Sequence, residues 1–490
     1  MREAWRRNDR ATVLECLQRG EYDAIATTSL GALDELAHLT AELGVWEALQ
    51  VIRVHREREG IPDELLLRTL TVLPFIEAVG LSAAANTLFQ DAAILLQLGY
   101  AVFEIQHGFN ERHHAPFETK SEQSSPYHPE VLRQELARLD LETRSVHAFR
   151  KRCIHSLFER RLVRGKTYAI DGSGLGKRWR VVGILNVNPE RALWVTWRVL
   201  NGSASEKGKE DSVVHEMVDE VRDVGGVDAI EWLLMDALYA DGPLLAWLKY
   251  QRNIDALVRL PEDRELYADL EGLIRLQPKR WQTHTDVRYI AGRKQTREVS
   301  AAAESDLTSW DSFVQATQAA GVPDAKLWGC LLHAVDRDTG DVEDWALVST
   351  RAFSTAWQGY TFWRQRWHIE NNGFREFKEG WHVEQAPWTR DDDVVAWARV
   401  TFTCIAFNTA QIAKTAAGRR LTHLGIRRLR RELTRQIGPA PVIVFAQDCY
   451  GVFDIEEIVT ALGAPPSVSL RRPHHNESVS HRAPPESSTH

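Results

Sequence analysis

Three carboxylates stand out by their settings. Asp171 closes the apolar run K-T-Y-A-I-D-G, and Asp236 closes a second one, D-A-I-E-W-L-L-M-D. Glu370 lies in a stretch rich in Trp and Arg, W-R-Q-R-W-H-I-E-N. Converging carboxylates are hard oxygen ligands, and Mg²⁺ prefers such oxygens together with waters and phosphate oxygens. Two ions held that way break phosphodiesters: one activates the attacking water or 3′-OH, the other stabilises the leaving oxygen. In that chemistry Asp171 would bridge both ions. Each acid also has a plainer reading. Strand-end aspartates cap turns, a helical glutamate is commonly solvated, and Arg366 can pair with Glu370 at i, i+4. A tryptophan such as Trp363 is more often core than a stacking platform.

Those positions need a scaffold. Residues 166–172, 178–188 and 191–200 read as strands, the last two joined by a tight turn at Asn188-Pro189-Glu190. Residues 211–224 have helical periodicity, and 228–236 form another apolar strand. Asp241-Gly242-Pro243 supplies the N-cap and first-turn proline of a helix reaching Gln251. A fifth strand follows over 254–260. The order β-β-β-α-β-α-β predicts an α/β fold, a mixed sheet with helices on its faces. In an RNase H-like strand order the first and fourth strands are neighbours, which would bring Asp171 beside Asp236. A helix over the sheet would then deliver Glu370.

This core is expected in two parts, 146–260 and 350–415. The second part holds a long helix over 353–378 and an apolar helix over 392–413. Between them, 261–349 reads as a β-rich insertion. Runs at 286–299 and 326–335 alternate, and a return strand over 344–349 makes a hairpin across 336–341. Residues 1–145 read as mostly helical, with periodic runs at 29–49 and 63–98, and are the candidate region for binding DNA ends. A polar loop is expected over 113–129 and a basic amphipathic helix over 129–162. Residues 416–464 are basic, with a helix near 422–436 and a strand at 442–445. The Ser-, Pro- and His-rich stretch 465–490 reads as disordered.

The motifs Tyr168-Ala169-Ile170-Asp171-Gly172, Leu233-Leu234-Met235-Asp236-Ala237-Leu238-Tyr239 and Trp363-Arg364-Gln365-Arg366-Trp367-His368-Ile369-Glu370-Asn371 together resemble a known family. It is the DDE transposases of bacterial and archaeal insertion sequences, in the branch with a β-rich insertion before the last acid. The resemblance spans roughly residues 145–410. It implies Asp171, Asp236 and Glu370 as catalytic metal ligands for Mg²⁺, with Mn²⁺ as a substitute. It also implies double-stranded DNA, both transposon ends and target, as substrate, and a homodimer on that DNA. In this branch the freed 3′-OH can first form a hairpin on the transposon end.

The family's third motif places an aromatic three residues before an Arg, a Glu four after it, and a Lys seven beyond the Glu. Trp363, Arg366 and Glu370 match, whereas position 377 is Phe and the lysine is Lys378. On an unbroken helix Arg366 lies about 40° from Glu370, and Lys378 about 80° away. A one-residue π-bulge at Asn371-Asn372-Gly373 would restore the register. Candidate DNA contacts are Trp363, Arg364, Arg366, Lys378, Lys177 and Arg178.

The remaining composition bounds the function. The 490 residues carry a formal charge of −8, which is unhelpful for DNA binding. The basic residues cluster locally, however, at Arg150-Lys151-Arg152, Lys177-Arg178, Arg364 with Arg366, and Arg427 to Arg435. Five scattered cysteines without a C-x-x-C pair argue against structural zinc and disulfides. No stretch reads as a membrane span, and the charged start lacks a signal-peptide core, so a cytoplasmic, nucleoid-associated protein is expected. Gly172 to Lys177 is no P-loop: Asp171 stands where the first Gly belongs, Arg178 follows the Lys, and a strand follows in place of a helix. No nucleotide cofactor is expected. His113-His114 and His474-His475 lack partners at metal spacing.

Overall fold

The computed structural model describes residues 7–28, 33–55, 60–76, 81–107, 129–205, 210–290, 293–384, 392–416, 428 and 441–463. The polar loop (except Pro129), nearly all of the basic helix at 422–436, the tail from residue 465 and both His pairs lie outside them. Strands β1 (Arg7–Asn8) and β2 (Ala24–Thr27) come first, from the N-terminal region. Next come β3 (Thr167–Leu175), β4 (Trp179–Asn186), β5 (Leu193–Leu200), β6 (Trp232–Met235) and β7 (Asp255–Leu260). The insertion contributes β8 (Gln282–Ile290), β9 (Arg293–Leu307), β10 (Leu327–Asp336) and β11 (Val342–Ser349). Strands β12 (Val442–Ala446) and β13 (Cys449–Phe453) complete the set.

The central sheet has nine strands in the order β5-β4-β3-β6-β7-β11-β10-β9-β8. β3 pairs antiparallel with β4 and parallel with β6, which pairs parallel with β7. This is the RNase H-like arrangement expected from the order of elements. The strands read as apolar runs because both faces are covered: Tyr168, Ala169 and Ile170 are all fully buried. The helices Val214–Gly225, Gly242–Ala246 and Glu265–Arg275 cover one face. A helical path over 356–380 and the helix Asp393–Ala416 cover the other. The insertion strands continue the same sheet, because β11 pairs antiparallel with β7. They are accompanied by two helices the sequence reading did not anticipate, Glu265–Arg275 and Asp311–Ala319.

Two further differences have local causes. The basic helix expected over 129–162 is two helices, Pro129–Ala137 and Thr143–Glu159. Between them the backbone turns aside to meet residues 53–55: Asp140 N–H bonds the Arg53 carbonyl at 2.7 Å, and His55 N–H bonds that of Arg138 at 2.8 Å. Gly44, at φ 71°, likewise divides the run over 29–49. β1 and β2, from the start of the chain, join β12 and β13, from its far end, in a four-stranded sheet ordered β1-β13-β12-β2. Among the described residues no helix is long and apolar enough to cross a membrane.

Candidate active site

Register brings the two aspartates together. β3 and β6 pair in parallel with Ala169 opposite Leu234, so Asp171 and Asp236, each two residues on, come side by side at the end of that ladder. Side chains alternate along a strand, so Asp171 faces as Ala169 does and Asp236 as Leu234 does. Both of those residues belong to the core beneath the 356–380 path, so the acids share its face. β3 does not end at Gly172 as its turn-like residues suggested. It runs on as a hairpin with β4, Gly172 opposite Val182 and Gly174 opposite Arg180.

Glu370 arrives along a helical path of changing pitch. Thr355 caps its start by accepting the Gln358 N–H at 3.1 Å. The first turns rest on the insertion. Gly359 lets the backbone approach Trp328, since a Cβ there would stand 2.4 Å from the indole. Tyr360 donates to the buried Asp286 of β8 at 2.8 Å, and Arg364 pairs with the same carboxylate. The indole N–H of Trp363 then bonds the Met235 carbonyl, just before Asp236, at 3.3 Å. After Arg366 the path widens into π turns, Ile369–Phe374 and Glu376–Gly380, with Arg375 N–H reaching the Glu370 carbonyl. The widening falls where the Arg366-to-Lys378 spacing called for an extra residue. Gly373 fits against Trp194 of β5, where a Cβ would lie 2.8 Å from the ring. Asn408 fixes that tryptophan by bonding both its backbone N–H (2.9 Å) and its carbonyl (2.8 Å).

Arg366 ties the acids together. Its guanidinium, 4% exposed, meets Asp171 Oδ2 at 3.2 Å and Glu370 Oε1 at 2.6 Å, and lies over the Trp363 ring. Asp171 Oδ1 accepts its neighbour's N–H, from Gly172, at 2.8 Å. Burial pushes the Asp171 carboxyl up to about 6, against the pull of Arg366 and that N–H, with Glu370 and Asp236 adding to the rise. Asp236 opens a 3₁₀ turn, yet its side chain makes no capping bond. Asp241, by contrast, caps its helix through the Leu244 N–H at 2.8 Å. With all three acids ionised, one guanidinium leaves two negative charges in a partly buried place. That surplus and the all-oxygen donor set suit a divalent cation of the Mg²⁺ class. Among the described residues no three His, Cys, Asp or Glu side chains are gathered closely enough to hold a metal ion as they stand. The Arg366 guanidinium is the cation that Asp171 and Glu370 share.

Residues 199–407 match the family model of the transposase DDE domain. Over these residues the chain is similar to a transposase DDE domain. The match takes in Asp236 and Glu370 and begins downstream of Asp171, which joins them through the sheet. No curated protein sequence matches the chain.

Around the acids, the other singled-out residues are placed unequally. Trp363 is 4% exposed and serves as the bolt between its helix and β6. Arg364 is held by Asp286, and Lys378 pairs with Glu384 at 2.9 Å. Lys177 is exposed at the tip of the β3–β4 hairpin, and Arg178 beside it reaches Asp393 at 3.5 Å. Of these, only Arg366 touches the acids directly in the described contacts.

The sequence reading missed the support behind Asp171. Arg180 of β4 pairs with the buried Glu210 and bonds the Gly172 carbonyl at 3.3 Å. A Cβ on Gly172 would stand 2.8 Å from the Glu210 side chain, so this glycine admits the pair. Nothing in the spacing of Glu210 signals it, since the contact is made across the fold.

Proposed function

We propose that this protein cleaves DNA at the ends of a mobile element and transfers the freed 3′-OH to a phosphodiester of target DNA. Asp171, Asp236 and Glu370 would hold Mg²⁺, or Mn²⁺ in its place. The cation, when bound, would supply charge neutralisation at the scissile phosphate and a more acidic attacking water or hydroxyl. The observation that carries the reading is that Arg366 meets both Asp171 and Glu370 while the β3–β6 ladder runs toward Asp236 beside Asp171. The side chain of Asp236 makes no bond to the turn it opens, which supports the reading, because an acid serving only as a cap would bond its turn.

This chain's own residues have definite tasks in such a reaction. Asp171 stays ionised above about pH 6 and presents its oxygens from a fixed strand. Arg366, beside the acids, would offer its guanidinium to a phosphate, which such a group can bind in a bidentate fork. Trp363 and Asp286 keep the helix seated while this happens. Lys177 and Arg178 offer charge to the DNA backbone at the hairpin tip. Each step exchanges one phosphodiester for another or for water, so no ATP is required. Two ends must be held at once, which calls for a homodimer on DNA.

The test is a nicking assay on DNA carrying the element's ends, with Mg²⁺ or Mn²⁺, comparing wild type with Asp171→Asn and Glu370→Gln. Both variants should lose cleavage while keeping the wild-type fold. Equal cleavage by wild type and Asp171→Asn would defeat the proposal. Pre-cleaved ends that are never joined to a target would leave hydrolysis alone as the activity.

A further inference from the structure

Arg180 and Glu210 form a buried ion pair beside Asp171 that the reading of the acids leaves without a task. The Glu210 side chain is 1% exposed and that of Arg180 13%. Taking two charges out of water is costly, and such a pair often adds no stability over apolar packing of similar volume.

The sequence makes room for the pair. In Asp171-Gly172-Ser173-Gly174 the two glycines fall on alternate positions of β3, so one face of the strand is left bare. Arg180 of β4 stands opposite Gly174, and Gly172 is its diagonal neighbour, within reach of a long side chain. The guanidinium crosses the bare strand. Its Nη2 donates to the Gly172 carbonyl at 3.3 Å, and its Nε lies 3.2 Å from where a Cβ on Gly172 would stand. The Glu210 side chain comes within 2.8 Å of the same point. Ile170 and Val182, which share this face with Gly172 and Arg180, mark it as the one opposite the acids.

The backbone carries the contact through to Asp171. Among the described residues β3 pairs with β6 from Thr167 to Ala169, so Asp171 and Gly172 lie past the end of that ladder and keep only β4 as a strand partner. The Gly172 N–H bonds Asp171 Oδ1 at 2.8 Å, which couples the carboxylate to the backbone of Gly172. Arg180 holds the carbonyl of that glycine from one side of the sheet, while Arg366 holds Asp171 Oδ2 at 3.2 Å on the other.

We propose that Arg180, anchored by Glu210, is a positioning residue for the cation site: it fixes the backbone of Gly172 and, through the Gly172 N–H, the direction in which Asp171 presents its oxygens. The inference rests on the reading of the acids as cation ligands. Groups one step behind metal ligands typically change metal affinity about 10- to 100-fold when lost.

The experiment is Mn²⁺ binding to the full chain without DNA, by titration calorimetry or Mn²⁺ paramagnetic resonance, with thermal melting of every variant. Arg180→Met combined with Glu210→Gln removes both charges, so no unpaired ion stays buried, and the Gly172 carbonyl loses its donor. This double variant should melt cooperatively and bind Mn²⁺ about tenfold or more weakly than wild type. Should it fail to fold, Arg180→Lys takes its place with the same expected loss: it keeps the charges balanced but brings one nitrogen where the fork uses separate ones for Glu210 and Gly172. A pair that served stability alone would lower the melting temperature and leave the affinity unchanged. Arg150→Met is the control, since it opens another buried pair, with Glu220 at 3.0 Å, and leaves that acid to Arg198. It should bind as wild type does; an equal loss there would overturn the proposal by showing a general effect of breaking a buried pair. If Asp171→Asn loses Mn²⁺ and the Arg180 variant binds as wild type, the role of Arg180 is refuted and the acid site stands. If Asp171→Asn binds Mn²⁺ as wild type does, the acid site itself is refuted, and the proposal with it.

Discussion

Replacing Arg366 with methionine tests the electrostatics of the site without touching an acid. The guanidinium is 4% exposed and lies 3.2 Å from Asp171 and 2.6 Å from Glu370. Removing one partner of a buried ion pair costs roughly 3–5 kcal/mol, because the other charge stays behind in a poor solvent. The Glu370 side chain is 43% exposed, so water screens its share. Asp171, 8% exposed, bears most of the loss, and about 3 kcal/mol at about pH 8 is the expected total.

The pH dependence fixes the sign. Burial holds the Asp171 carboxyl at about 6 in the folded protein, above its ordinary 3.8. A raised carboxyl lends stability that is fully present below the ordinary value and lost as the pH rises through the folded one. Arg366 is the strongest influence lowering that folded value, so without it the value climbs and the loss extends to higher pH. Thermal melts in EDTA should therefore show Arg366→Met close to wild type at about pH 5 and well below it at about pH 8. Mn²⁺ should bind the variant more tightly than wild type, since no guanidinium competes for the same oxygens. A variant that melts with wild type at both pH values and binds Mn²⁺ with unchanged affinity would refute the reasoning.

Other perturbations probe the supports. Gly373→Ala places a Cβ 2.8 Å from the Trp194 ring, and overpacking of this kind costs roughly 1–3 kcal/mol; melting and near-ultraviolet dichroism should both report it, and cleavage should fall as Glu370 is displaced. In the N-terminal region, burial, with Glu35 and Asp91, pushes the Asp34 carboxyl up to about 7. Stability from that group is present below 3.8 and lost as the pH rises through about 7, by up to about 4 kcal/mol, and Asp34→Asn should flatten the dependence in melts across that range. Lys177→Ala, at an exposed hairpin tip, should weaken DNA binding uniformly across sequences and reduce the salt slope by about one.

The strands around the acids were legible in sequence because both faces of this sheet are covered. Residues 228–236 form an apolar run ending in an aspartate, and so does the first strand as far as Asp171. Turn and cap residues such as Asn188 and Asp241 then marked the breaks between elements. The one-residue displacement of Lys378 was informative in the same way, since it called for a widened turn and π turns occupy that stretch. It said nothing of the lysine's partner, Glu384, which the path beyond the helix delivers.

Sequence by itself thus determined the order of the elements and the helical run bearing Glu370. These depend on burial and periodicity, which are local properties of the chain. Only the tertiary structure decided that the insertion strands extend the same sheet, through the pairing of β11 with β7, and that the two ends of the chain share a second sheet. It alone decided that Arg366 meets an aspartate 195 positions away, and that Glu210 packs against Gly172, the residue after Asp171. Strand pairing and ion pairing between distant segments depend on which surfaces remain available once the local elements pack. That information belongs to the assembled core and to no single stretch of residues.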